Sequence, residues 1–226
     1  MRSLTYLLLF GVGLILAACT ATTDSTTATQ PPLAEVVTTL PPNATLAGIE
    51  GRIAEATDAT FINYDPSHLE QISRETAGVN AAGYERLANY WSAYADFHAA
   101  VYEMKTEDKP AAAVATQRAL DKLASIEGKN VEELTLQAFI QGFAVQFAEG
   151  PQITAAARAA QESIDAAKAI EPNNPRLQYV MGSMDFYTPA EYGGGKKAEG
   201  YLTRAIELPA QTTSSEYLPS WGKAEA

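Results

Sequence analysis

Along most of the chain, apolar residues recur every three or four positions, the spacing of helices that each bury one face. The pattern predicts helices over 46–56, 67–76, 81–104, 106–124, 131–147, 153–170, 176–187 and 196–208. Helix punctuation falls at their ends. Asp65-Pro66-Ser67 starts the second and Gly78 stops it, Pro110 is tolerated in a first turn, and Gly128 ends the fourth. Asn130 caps the fifth, with Glu132 and Glu133 near its positive end, and Gly150-Pro151 breaks the chain before the sixth.

The helix over 81–104 has the best amphipathic pattern. At 100° per residue, Tyr84, Leu87, Trp91, Tyr94, Ala95, His98, Val101 and Tyr102 share one face. Tyr90, Ala93, Phe97, Ala100 and Met104 lie on an adjacent face, so about half the circumference is apolar. Such a helix is gripped by two neighbours, as an inner helix of an array must be. The opposite arc is polar, with Glu85, Asn89, Ser92, Asp96 and Glu103.

Two segments between Ile140 and Leu208 superimpose at an offset of 38 residues. Phe143 pairs with Met181, Ala144 with Gly182, Ala160 with Ala198, Ile164 with Leu202 and Ala167 with Ala205. This is an internal repeat of two antiparallel helices, in which small residues let the backbones approach while large ones fill the neighbouring groove. Ala144, Ala160, Gly182 and Ala198 are therefore expected at helix–helix contacts.

The run Ile140-x-x-Phe143-Ala144-x-x-Phe147, followed by Ala160-x-x-x-Ile164-x-x-Ala167-x-x-x-x-Pro172, resembles the tetratricopeptide repeat. The resemblance is degenerate: each copy carries extra residues between its helices, and Asp185 stands where the second copy should have an aromatic. Gly193-Gly194-Gly195-Lys196-Lys197 and Pro219-Ser220-Trp221-Gly222-Lys223 are similar to segments of small exported bacterial tetratricopeptide proteins. The resemblance implies an all-α antiparallel helix-hairpin array, a right-handed superhelix of about seven to eight helices. It also implies a groove lined by Asn89, Ser92, Asp96, Gln141, Arg176, Tyr179, Ser183 and Tyr187, with Arg176 able to take a peptide carboxylate bidentately.

The N-terminus departs from the helical pattern. Arg2, an apolar run over 6–16 and then Leu16-Ala17-Ala18-Cys19 are the parts of a secretory signal, and the run is too short for a convincing membrane span. Leu-Ala-Ala-Cys matches the lipobox of bacterial lipoproteins, which implies cleavage before Cys19 and lipid attachment to it. The chain has 1 Cys, so an internal disulfide is impossible and modification is the simpler use of Cys19. Residues 20–45 are rich in Thr, contain Pro31-Pro32 and Pro41-Pro42, and read as a tether. The expected organisation is a signal over 1–18, a tether over 19–45 and a helical domain over 46–226.

The net charge is −11, and the leader removes only Arg2, so the mature chain stands near −12. A nucleic-acid partner would need a basic stripe, which is missing. The acidity reads as solubility of an Ala-rich helical surface, and no cationic partner is required to explain it.

Candidate chemistry is sparse. His68 and His98 are the 2 histidines, and His98 lies on an apolar helix face, where a satisfied core histidine is the simpler reading than a ligand. Metal-ligand spacings are absent, so neither a metal nor a cofactor is expected. The Gly193–Lys197 run lacks the phosphate-loop spacing and follows a helix, so anion binding at the next helix start is a minor reading. Nothing pairs a nucleophile with a base, and catalysis is not expected.

Two classes of function stay open. One is a lipid-anchored scaffold on the periplasmic side of the bacterial outer membrane, holding a partner protein or peptide in its groove. The other is a solute-capture subunit of a transport system, enclosing a small molecule. An open groove with a polar floor would favour the first, and aromatics around a pocket the second.

Overall fold

The computed structural model describes residues 40–209 and 215–226. The signal, Cys19 and most of the tether therefore lie outside the described residues, as do positions 210–214. Eight α-helices account for the described fold: α1 (Ile49–Asn63), α2 (Ser67–Ala77), α3 (Glu85–Lys105), α4 (Lys109–Ala124), α5 (Val131–Ala144), α6 (Pro151–Ile170), α7 (Pro175–Tyr187) and α8 (Ala198–Glu207). Short 3-10 turns follow α5 at Val145–Phe147 and α7 at Ala190–Tyr192. The architecture is all-α, as the spacing predicts.

Most boundaries follow their local chemistry. The Asn130 side chain accepts from the Glu132 and Glu133 amides, and Glu133 reaches back to the Asn130 amide at 2.9 Å, a reciprocal cap for α5. Asp108 caps α4 ahead of Pro110, and Asn174 caps α7 ahead of Pro175. Two boundaries differ from expectation. Helix α1 runs seven residues beyond the predicted Ala56, to Asn63, and α5 tightens into a 3-10 turn after Ala144 where it approaches the Gly150-Pro151 break.

Consecutive helices pack as hairpins, and the odd-numbered ones also touch in order, α1 on α3, α3 on α5 and α5 on α7. They run parallel: Thr57 meets His98 at 3.2 Å, and one turn further along both helices Phe61 meets Tyr102 with ring centroids 5.4 Å apart. The odd helices form an inner row and the even ones an outer row. In the last hairpin the repeat register holds at Gly182, where a Cβ would stand 2.7 Å from Leu202, while Ala160 and Ala198 are buried. Ala144 is only half-buried.

Residues 215–226 have no helical pattern and are folded back across the inner row. Asn43 donates its amide to the Tyr217 hydroxyl at 3.0 Å, Trp91 donates its indole to the Tyr217 carbonyl at 2.8 Å, and Ser220 donates to Glu50 through both amide and hydroxyl. Leu40 and Leu46 also join the core, which therefore takes in the end of the segment read as tether. Gly222, with φ of 95°, lies so close to Arg176 that a Cβ would be 3.2 Å from the Arg176 Cα.

Candidate functional site

Four of the eight residues expected in a groove are consumed inside the fold. Ser92 and Asp96 are buried on the side of α3 that faces α2 and α4: Ser92 donates to the Ser73 carbonyl at 2.8 Å, and Asp96 pairs with Lys122 and Arg118. Asn89 shares their helix face and is half-buried. Gln141 accepts from Ser163 of α6 at 2.7 Å. Arg176 is buried and makes a bidentate pair with Glu132, whose carboxylate also accepts from Asn174 at 2.7 Å. These four engaged residues, Ser92, Asp96, Gln141 and Arg176, do not form an open row. The physical reason is shared: each sits next to a buried donor or acceptor, and leaving that partner unsatisfied costs more than exposure to solvent gains.

Tyr179, Ser183 and Tyr187 do form a stripe on α7, at successive i, i+4 positions, and Tyr187 stays 80% exposed. The other inner helices carry matching stripes that the polar reading missed. They are Tyr94, His98 and Tyr102 on α3, and Phe139, Phe143 and Phe147 on α5 and its 3-10 extension. On α1, Glu50, Thr57 and Phe61 complete the row.

The upper end of this row is covered by Trp221. Its ring lies near-parallel to Tyr94 (centroids 5.4 Å, planes 19°) and to Phe139 (6.2 Å, 17°), with Tyr179 edge-on at 6.2 Å. The indole donates to the Tyr90 hydroxyl at 2.8 Å, so the buried N–H is satisfied. Burial raises the Glu50 carboxyl above its ordinary value, and the two Ser220 bonds offset part of that rise.

Below Trp221 the row continues without a cover among the described residues. Phe97 and Phe143 touch at 5.5 Å, Phe143 and Phe147 at 5.5 Å, and Tyr94 lies 4.5 Å from the His98 ring. Phe143 and Phe147 are only half-buried, and Phe61 and Tyr187 are exposed at the far end. The floor is aromatic; burial lowers His98 to about 4, which keeps the imidazole neutral at pH 7, and burial raises the neighbouring Tyr94 and Tyr102 phenols, which keeps them protonated.

The simple picture of His98 as a satisfied core histidine holds for one nitrogen. Nδ1 meets Thr57 Oγ1 at 3.2 Å, and the Thr57 hydroxyl donates to the Ile53 carbonyl at 2.8 Å. The Thr57 oxygen therefore accepts, and Nδ1 carries the proton. No periodicity could have shown that α1 supplies this acceptor 41 positions away.

Other places offer less. The start of α8 is closed to an external anion by Asp185, whose carboxylate accepts from the Lys197 and Ala198 amides at 2.8 and 2.9 Å. The residue that breaks the repeat pattern is thus the cap of the next helix. Gly194 in that loop packs on the Thr188 carbonyl, 2.0 Å from where a Cβ would stand. Two surface depressions, of about 270 Å³ beside Glu70, Glu103 and Arg118 and about 510 Å³ beside Arg52 and Glu75, each border an ion pair, Arg118 with Glu70 and Arg52 with Glu75. Among the described residues no group of three or more His, Cys, Asp or Glu side chains could hold a bare metal ion, and no helix is long and apolar enough to cross a membrane.

The described residues form an all-α helical array. Among solved structures, the HusA haemophore from Porphyromonas gingivalis is similar, with a TM-score of 0.57 and 22% identity over 81% of this chain and 91% of that one. At that identity the likeness concerns the fold. No protein-family model and no curated protein matches the chain.

Proposed function

We propose that this protein is a lipid-anchored capture protein of the bacterial cell envelope that holds a flat, largely apolar ligand of the porphyrin class on the lower half of its inner row. The observation that carries the reading is the Trp221 ring, which occupies the upper half of the same row in near-parallel contact with Tyr94 and Phe139. A planar ring system is what these stripes accept, and they continue past Trp221 through Phe143, Phe147 and Tyr187. Offset stacking on several aromatics suits a large planar ligand without demanding a closed cavity. The similar fold belongs to a haemophore, which supports the same class of cargo.

This favours solute capture over a peptide scaffold. A peptide needs polar partners along its backbone, and Ser92, Asp96, Gln141 and Arg176 are already engaged within the fold. Leu16-Ala17-Ala18-Cys19 supports anchoring through Cys19, and the absence of a spanning helix among the described residues is compatible with it. A periplasmic face on the outer membrane is the location this reading assigns. The protein would act by binding and handing on its ligand, with no chemical step.

Titrating the mature chain with protoporphyrin tests this directly. Trp221 and Trp91 adjoin the row, so saturable quenching of tryptophan emission is expected, together with a shifted porphyrin absorption. Phe143→Ala with Tyr187→Ala should weaken binding by about tenfold or more while leaving helical circular dichroism unchanged, since base or ring stacking on aromatics is commonly worth about 1–3 kcal/mol per contact. Absence of saturable porphyrin binding would sink the proposal.

A further inference from the structure

We propose that Nε2 of His98 is an axial ligand for the metal of a metalloporphyrin seated on the inner row. The inference rests on the porphyrin reading and adds to it a distinction between metallated and metal-free rings. Three features carry it. The Thr57 oxygen holds the proton on Nδ1, because the Thr57 hydroxyl is spent on the Ile53 carbonyl. Nε2 consequently presents a lone pair, and it has no hydrogen-bond partner among the described residues. The residue is half-buried, and its ring is held edge-on by Tyr94 at 4.5 Å and Phe97 at 6.1 Å, both at 73°, one helical turn below the Trp221 contact of Tyr94.

That arrangement is the one metal-binding histidines use: one nitrogen anchored to an oxygen acceptor, which sets ring orientation and tautomer, and the other directed at the metal. Thr57 is a positioning residue in this scheme. The low proton affinity of the half-buried imidazole leaves the lone pair available at neutral pH. His68 is exposed at the start of α2 and has no such setting.

The test compares iron protoporphyrin with metal-free protoporphyrin on the mature chain carrying Cys19→Ser, so that no thiolate competes for iron. His98→Gln keeps a polar side chain of similar reach. It should weaken iron protoporphyrin binding at least about tenfold, move the Soret band and abolish the imidazole signature in electron paramagnetic resonance, while leaving the metal-free ring bound as before. Thr57→Val, which removes the acceptor, should cost the iron form about 10- to 100-fold and the metal-free form nothing. His68→Gln should change neither. If wild type binds both rings and His98→Gln weakens both equally, or changes neither affinity nor spectrum, the ligation is wrong and the aromatic surface alone accounts for binding. If wild type binds neither ring, the porphyrin reading itself fails.

Discussion

Arg176 on α7 and Glu132 on α5 form a bidentate ion pair that is buried beneath the C-terminal segment, with Gly222 resting directly on the Arg176 side chain. The pair joins the starts of two inner helices, and Asn174 extends it by donating to Glu132 while capping α7. A residue that looked suited to an external carboxylate has found one inside the protein. Arg176→Ala strands the Glu132 charge and should destabilise by about 3–5 kcal/mol in urea unfolding. Arg176→Met with Glu132→Leu should recover most of the loss, and a double variant no more stable than the single one would refute this account.

Trp221 fills the upper inner row and anchors a segment with no secondary structure of its own. Trp221→Ala removes its contacts with Tyr94, Phe139 and Tyr179 and should cost about 3–5 kcal/mol. Trp221→Phe should cost less, because it keeps the ring but leaves the Tyr90 hydroxyl without the indole donor. Equal stability of wild type and Trp221→Ala would show that the segment is not docked.

His98 also predicts a pH dependence. Its folded value, about 4, lies below the ordinary 6.5, so in that window the unfolded chain binds the proton more tightly. Its contribution to stability is complete above pH 6.5 and is lost as pH falls through 4. His98→Gln should flatten that part of the stability profile, measured by thermal unfolding from pH 7 to 4, and an unchanged slope would contradict it.

Gly182 and Leu202 test the repeat register. A Cβ on Gly182 meets the Leu202 side chain at 2.7 Å, so Gly182→Leu should overpack the α7–α8 hairpin and cost about 1–3 kcal/mol. Gly182→Ala combined with Leu202→Ala should be better tolerated than Gly182→Leu. Unfolding midpoints in denaturant decide the matter, and an unaffected Gly182→Leu midpoint would break the register.

Anchoring is tested at Cys19. Cys19→Ser should yield a protein that no longer partitions with membranes or labels with palmitate, because acyl chains supply about 0.8 kcal/mol for each buried CH₂. Membrane association that persists without labelling would assign the anchor elsewhere.

The helix content, most boundaries and the small-residue contacts of the last hairpin were legible from local sequence, since a 3.6-residue period and Asn, Asp, Pro and Gly punctuation act over a single turn. Asn130 with Glu133 and Gly182 opposite Leu202 are of this kind. The site was not legible in the same way. A helical wheel separates faces but does not say which neighbour each face meets: Ser92 and Asp96 lie on the polar arc of α3, where the resemblance implies a groove, yet Ser73 and Lys122 cover them. The apolar face predicts burial between neighbouring helices, but Phe143, Phe147 and Tyr187 leave the lower half of the row open below Trp221. The Trp221 segment carries no periodicity, and its docking depends on bonds reaching across 131 positions to Tyr90 and 170 to Glu50. The His98 tautomer likewise rests on a hydroxyl from a different helix. Patterning within one element is encoded by its own residues, whereas the state of a functional group is set by whatever the fold brings against it, and here only the packing of four parallel helices and one returning segment decided that.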